Sequence, residues 1–250
     1  MMNVFEAYSE YYDLLYSDKN YELEVNYLQN LVINNIKTSG QDLLNLGCGT
    51  GKHDFEFENI GYNVLGVDLS KDMIELAVKE RPINSKCEFM VSDIRKLNLN
   101  KKFDVITSLF HVINYQNSNV DLNETFEVAS KHLKKGGLFI FDFWNGSGVL
   151  TDLPITKTKC IENSNILVER RTFPNFLYDK NIVEVNFDIN IKSKKSGEIK
   201  NILEKHSMRY LFLPEIEEFA KDFTLLNSYK WLTNEPLLNN WYGIVILIKN

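Results

Sequence analysis

Leu43-Leu44-Asn45-Leu46-Gly47-Cys48-Gly49-Thr50-Gly51 is an apolar strand that runs straight into three glycines spaced two apart. Glycines in such a place let the backbone turn tightly and let a ligand lie against main-chain N–H groups where the next helix begins. A bare Gly-x-Gly says little, and the downstream series gives it weight. Asp68 closes the next predicted strand, 17 residues after Gly51, where a carboxylate can accept both hydroxyls of a ribose. Asp93 closes the strand after that.

Dinucleotide enzymes also pair a glycine turn with an acid at the second strand, but their spacing is G-x-G-x-x-G, the third glycine keeping the helix close beneath a pyrophosphate. Here the third glycine comes one residue early and Lys52-His53 follows. With DLSKDM (Asp68 to Met73) and SDI (Ser92 to Ile94) added, the pattern fits a cofactor without phosphates.

Outward from the turn, short apolar runs alternate with helical stretches, which predicts βαβα order and a parallel sheet. The expected elements are a helix over Tyr21 to Ile36, strand Asp42 to Leu46, strand Asn63 to Asp68 and helix Lys71 to Glu80 capped by Ser70. Strands Cys87 to Val91 and Phe103 to Leu109 follow, then helix Asp121 to Leu133, stopped by Lys134-Lys135-Gly136-Gly137, and strand Leu138 to Phe143. Near residue 150 the pattern becomes strand on strand: Ile166 to Thr172, Ile182 to Lys192 and Ile199 to Tyr210, with breaks at Pro174-Asn175 and Ser196-Gly197. A short helix Pro214 to Lys221, a strand Leu225 to Tyr229 and the strand Trp241 to Ile248 return to the main sheet. The expected organisation is one domain: 1–37 as N-terminal lid and helix, 40–146 as cofactor core, 150–212 as an antiparallel insert serving the acceptor, 213–250 as the return.

The chain has 250 residues, 44% of them hydrophobic and 12% aromatic, enough for a full core. A net charge of −6, without a basic run, argues against nucleic acid. Cys48, Cys87 and Cys160 lie far apart, as reduced thiols rather than a disulfide frame or metal site. The first residues lack the basic start and apolar stretch of a signal peptide, and no run suffices to span a bilayer, so a cytoplasmic protein without membrane contact is expected.

At NLGCGTG, GVDLS, VSDI, KKFDVITSLF and HLKKGGLFIFDF the chain resembles the class I S-adenosylmethionine-dependent methyltransferases, over roughly residues 40 to 145. The resemblance implies a Rossmann-like three-layer α/β fold with a mainly parallel seven-stranded sheet, here carrying an inserted antiparallel layer. It implies S-adenosyl-L-methionine as cofactor, with Gly47 and Gly49 by the methionine portion, Asp68 on the ribose, Asp93 with Ile94 at the adenine, and Cys48, Leu69 and Met73 also among the cofactor-binding residues. Leu109 and Phe110 would face the methyl group. Tyr11-Tyr12-Asp13-Leu14-Leu15-Tyr16, SLFHVINY and the insert are similar to a narrower group, the nucleotide-linked amino-sugar N,N-dimethyltransferases and related small-molecule enzymes. In that group N-terminal tyrosines close over the cofactor, a role falling here to Tyr12 and Tyr16. It often carries a histidine where this chain has Tyr115, so N- and O-methylation both stay open.

The expected activity is methyl transfer to a small polar acceptor, a sugar or nucleotide-linked sugar, by a monomer or homodimer without a metal. A nicotinamide oxidoreductase and a non-catalytic S-adenosylmethionine-binding module are the alternatives. Candidates to handle the acceptor's proton are His111, two residues past the fourth strand, Tyr115, and His206, which shares a strand face with Glu204, Met208 and Tyr210. Arg209, on the other face, could meet a substrate anion or an acidic neighbour. Cys48 reads as a small residue in a crowded turn, and His53 and His132 read as helix-surface positions.

Overall fold

The computed structural model describes residues 14, 15 and 19–250. They divide into two compact units: Asn20–Asp152 with Tyr210–Asn250, and Leu153–Arg209 with Leu14, Leu15 and Lys19.

The larger unit contains α1 (Tyr21–Asn35), β1 (Asp42–Leu46), α2 (Lys52–Asn59), β2 (Asn63–Asp68), α3 (Lys71–Glu80), β3 (Glu88–Val91) and β4 (Phe103–Ser108). It continues with α4 (Asn119–His132), β5 (Leu133–Trp144) and α5 (Gly146–Thr151). The smaller unit then supplies β6 (Lys157–Glu162), β7 (Ile166–Leu177), β8 (Ile182–Ser193) and β9 (Ile199–Arg209), before α6 (Leu213–Phe219), β10 (Phe223–Lys230) and β11 (Tyr242–Lys249) complete the larger.

Its seven strands lie in the order β10-β11-β5-β4-β1-β2-β3. Strands β1 to β5 pair in parallel, and β11 runs antiparallel to both β5 and β10. The sheet is covered on both faces, so the central strands are buried along almost their whole length, β4 at every residue. Side chains alternate between two apolar layers: Phe139, Phe141 and Phe143 of β5 join one with Leu44 and Leu46, while Leu138 and Ile140 join the other with Leu43, Val25 and Leu28. Strand order reverses at β1, with β2 on one side and β4 on the other, and in sheets of this type ligands bind beyond the carboxyl ends of the strands at that point.

The parallel sheet and its helices follow the sequence expectation, Ser70 included, whose hydroxyl accepts from the Met73 N–H at 3.3 Å. Most ends shift by a residue or two, and two features differ more. Strand β5 begins at Leu133, so the Lys134-Lys135-Gly136-Gly137 run lies inside it; Gly136 has φ 79° and the β4–β5 register shifts between Phe103 and Val105, a bulge rather than a loop. Helix α5 was not anticipated.

The smaller unit is an antiparallel sheet of four strands, β6-β7-β8-β9, where three were expected. Strand β6 is an edge whose residues are nearly all exposed, so it lacks the alternation that marks a half-buried strand. Strand β7 runs on through Pro174-Asn175, expected to break it. Its pairing with β6 reaches only to Thr172, so beyond that point one side of β7 is an edge, where a proline's missing N–H is tolerated. Ile166, Val168, Ile189 and Ile191 form the core of this unit together with Leu15.

No helix among the described residues is long and apolar enough to cross a membrane, and no group of three metal-ligating side chains lies among them.

Candidate functional site

The glycine turn after β1 is held to the end of β2: the N–H groups of Gly47 and Cys48 both donate to the Val67 carbonyl, at 2.7 and 2.9 Å. Gly47, Gly49 and Gly51 have φ of 81°, 56° and 75°, in the left-handed region that side chains disfavour. A Cβ on Gly47 would sit 2.5 Å from the Val112 side chain and one on Gly51 would sit 2.6 Å from the Phe89 ring, so both are needed for packing. A Cβ on Gly49 would meet nothing within 4 Å. The middle glycine therefore presents bare backbone to open space, a surface that a ligand can approach closely. Cys48 is buried, and burial first, then the Asp54 and Asp68 carboxylates, push its thiol up, in keeping with a packing role.

Asp68 stands at the end of β2 with both carboxylate oxygens fixed: Oδ2 accepts from Gly49 N–H at 2.9 Å and Oδ1 from Ser70 N–H at 2.8 Å. Leu69 beside it is 67% exposed, and Met73 is half-buried in the first turn of α3. Asp93, past β3, is gripped by Arg95, whose Nε and Nη2 donate to it at 2.9 and 2.7 Å while Nη1 reaches Asp121 at 2.6 Å. That guanidinium holds the Asp93 carboxyl below the usual carboxylate range. Ile94 is buried in the core with Leu97 and Phe103.

Beneath the turn lies a polar cluster that the sequence did not disclose. Asn45 Nδ2 donates to Asp54 Oδ2 at 2.8 Å, and Thr107 Oγ1 donates to Asn45 Oδ1 at 3.1 Å. Asp54 is fully enclosed, and its carboxyl is pushed up to about 7 by burial.

Past β4, Leu109 is buried, while Phe110 and His111 both have φ 65°, and a 3-10 turn follows over Val112–Tyr115. Since Val112 is what Gly47 packs against, this loop and the glycine turn touch. His111 is held by Asp142 of β5: its main-chain N–H donates to the carboxylate at 3.0 and 3.2 Å, and its Nδ1 lies 2.7 Å from Oδ2. The imidazole stacks on Tyr242, with centroids 5.0 Å apart and planes 15° from parallel. Burial, and then the Asp142 charge, raise the Tyr242 phenol above its ordinary value. Asn114 Oδ1 accepts from the Trp144 N–H at 3.1 Å and so ties the loop to the end of β5, and Tyr115 is 44% exposed.

The third expected proton-handling residue belongs to the other unit. On β9, His206 Nε2 is 3.3 Å from Glu204 Oε2 and its ring meets the Phe187 ring edge-on at 5.4 Å. Tyr12 and Tyr16 lie outside the described residues.

His53 and His132, expected on helix surfaces, are buried. His53 Nε2 is 2.7 Å from Glu24 Oε2, with Tyr21 edge-on at 4.9 Å. His132 Nε2 accepts from Leu99 N–H at 2.9 Å, which leaves Nδ1 to donate to the Val128 carbonyl at 2.8 Å; burial lowers its basicity. A lone histidine in a helical pattern does not reveal which face is covered; the neighbouring chain decides it.

The methyltransferase domain family matches residues 43–137. Among curated proteins, the chain is 34% identical over 104 residues to a dTDP-4-amino-2,3,4,6-tetradeoxy-D-glucose N,N-dimethyltransferase of Saccharopolyspora spinosa, covering 42% of this chain and 41% of that one. It is 28% identical over 139 residues to a dTDP-3-amino-3,4,6-trideoxy-alpha-D-glucopyranose N,N-dimethyltransferase of Streptomyces venezuelae, covering 55% and 57%. The matched stretch thus spans about half the length of these relatives. Among solved structures, an S-adenosylmethionine-dependent methyltransferase from Clostridium acetobutylicum ATCC 824 superposes with a TM-score of 0.82 at 24% identity, covering 99% of this chain and 100% of that one, which is a likeness of fold. The glycine turn and the acids closing β2 and β3 lie within the stretch that matches the methyltransferase domain family, residues 43–137, and the topology is that of the S-adenosylmethionine-dependent methyltransferase fold.

Proposed function

We propose that this protein transfers a methyl group from S-adenosyl-L-methionine to a small polar acceptor, with a sugar or nucleotide-linked amino sugar as the favoured class. The observation that carries the reading is the pairing of Gly49, whose backbone faces open space, with an Asp68 carboxylate fixed from both oxygens next to it. The likeness to two sugar dimethyltransferases supports the acceptor class.

When bound, the cofactor supplies an electrophilic methyl group on a positively charged sulfur. The chain's own residues bind and align it. Gly47, Cys48 and Gly49 offer backbone to the methionine portion, Asp68 accepts from the ribose hydroxyls beside Leu69 and Met73, and Asp93 with Ile94 bounds the adenine. Leu109 and Phe110 keep water from the methyl group, since displacement at carbon needs chiefly alignment and a dry site. Tyr12 and Tyr16 are assigned to the cofactor on the resemblance alone. His111, Tyr115 and His206 are the candidates to receive the acceptor's proton, and residues 150–212 are assigned to acceptor recognition.

The test is calorimetric titration with S-adenosylmethionine and, separately, with NADH, followed by assay of S-adenosylhomocysteine release against a panel of nucleotide-linked sugars, with and without amino groups. Binding of the first cofactor together with release supports the reading. Preference for NADH would make the protein an oxidoreductase, and binding without release across the panel would leave a ligand-sensing module.

A further inference from the structure

The sequence singled out His111 but gave it no partner, and the partner the fold supplies is a buried acid. Asp142 is 2% exposed, at the carboxyl end of β5, and it contacts His111 twice, through the main-chain N–H and through Nδ1 at 2.7 Å. A buried carboxylate facing a ring nitrogen is stabilised when that nitrogen bears a proton. The ring cannot readily turn away: its backbone is in the left-handed region, Phe110 and Tyr242 stack on it at 5.8 and 5.0 Å, and Trp144 stands 6.0 Å away. The Nδ1 atom is buried and its approach to Asp142 is a close charge contact rather than an aligned hydrogen bond, while 19% of the side chain is exposed through its remaining atoms.

We propose that Asp142 is a positioning residue that fixes His111 in the tautomer protonated at Nδ1, making Nε2 a base for an acceptor that must shed its proton during attack, a hydroxyl. The assignment of Nε2 to the acceptor rests on the function proposed above; the tautomer does not. In the transfer, the acceptor oxygen bonds to the methyl carbon and gives its proton to Nε2 as the bonding pair of the methyl–sulfur bond returns to sulfur. The positive charge leaves the sulfonium and ends on an imidazolium facing the Asp142 carboxylate. A neutral amine nucleophile needs no base until after attack, so an oriented His–Asp pair suits a hydroxyl.

The experiment is long-range proton–nitrogen correlation NMR on histidine-labelled full-length protein, at a pH where the ring is neutral, paired with kinetics. The expected wild-type spectrum shows His111 protonated at Nδ1. In Asp142→Asn the amide can donate to Nδ1, and the tautomer should move to Nε2–H. A wild-type ring protonated at Nε2 overturns the proposal without any variant, so a poorly folding Asp142→Asn does not blunt the test. With a hydroxyl acceptor found in the nucleotide-sugar panel, His111→Gln and Asp142→Asn should each lower kcat by roughly a hundredfold, with the dissociation constant of S-adenosylmethionine within threefold of wild type. Unchanged kcat, or methylation of amines alone by the whole panel, overturns the role as base. The expected tautomer in a protein that releases no S-adenosylhomocysteine with any acceptor would instead count against the transferase reading.

Discussion

Asp68 is the residue whose removal speaks most directly to the cofactor. Replacing it with alanine takes a charged acceptor from Gly49 and Ser70 and, on the function proposed above, from two ribose hydroxyls. Hydrogen bonds to charged groups contribute roughly 1.5 to 3 kcal/mol each, so Asp68→Ala should weaken S-adenosylmethionine binding more than tenfold by calorimetry, and unchanged affinity in a folded variant would remove the assignment. Asp54 makes a different prediction, because its carboxyl is pushed up to about 7 by burial. Its unfolded counterpart ionises near 4, so the stability it contributes is full below about pH 4 and is lost as pH rises through about 7. Asp54→Asn keeps an acceptor for Asn45 and removes that loss. The melting temperature of the variant relative to wild type should therefore climb by several degrees between about pH 5 and about pH 8, on the order of 2 kcal/mol; a constant difference would contradict the account. Gly47, Gly49 and Asp68 were legible in sequence because the spacing of a turn and its acid is local. Asp142, Arg95 and the neighbours of Asp54 were not. Their roles follow from strand register and loop contact, which bring together residues as distant as His111 and Asp142.

Among the elements, α4 shows how packing sets stability. Phe126 meets Phe139 and Phe141 of β5 edge-on at 5.6 and 5.8 Å, and Phe219 and Phe223 at 6.1 and 6.4 Å. It is 3% exposed, so Phe126→Ala should cost about 3 to 5 kcal/mol in denaturant unfolding. At the amino end of the same helix, Ser118 Oγ accepts from Asp121 N–H at 3.1 Å and Asp121 Oδ2 accepts from Ser118 N–H at 3.0 Å, a reciprocal cap. Ser118→Ala should cost only about 1 kcal/mol, and an equal loss from the two substitutions would contradict the packing account. Elements buried on both faces were readable because their apolar runs are long and their stops are chemical. Strand β6 and the second half of β7 were not, since an exposed edge leaves no hydrophobic period and a proline at an edge carries no penalty.

At the scale of the whole molecule the question is what the four-stranded sheet contributes. The chain leaves the parallel sheet after the carboxyl end of β5, the edge at which open α/β sheets bind ligands, and returns at Leu211, which bridges to Asn145. The unit inserted at that point has its own apolar core and a strand bearing Glu204, Lys205 and His206, and the reading proposed above gives it the acceptor. His206 is the residue to change, since its ring is half-buried and it is a candidate to receive the acceptor's proton. His206→Ala should lower kcat/KM for the acceptor about tenfold or more while leaving the dissociation constant of S-adenosylmethionine within twofold, the signature of a lost acceptor interaction. The competing account makes the sheet a contact between two copies of the chain. Sedimentation run beside the kinetics separates them: a variant that falls from dimer to monomer with its acceptor kinetics intact would transfer the role of this sheet from recognition to assembly.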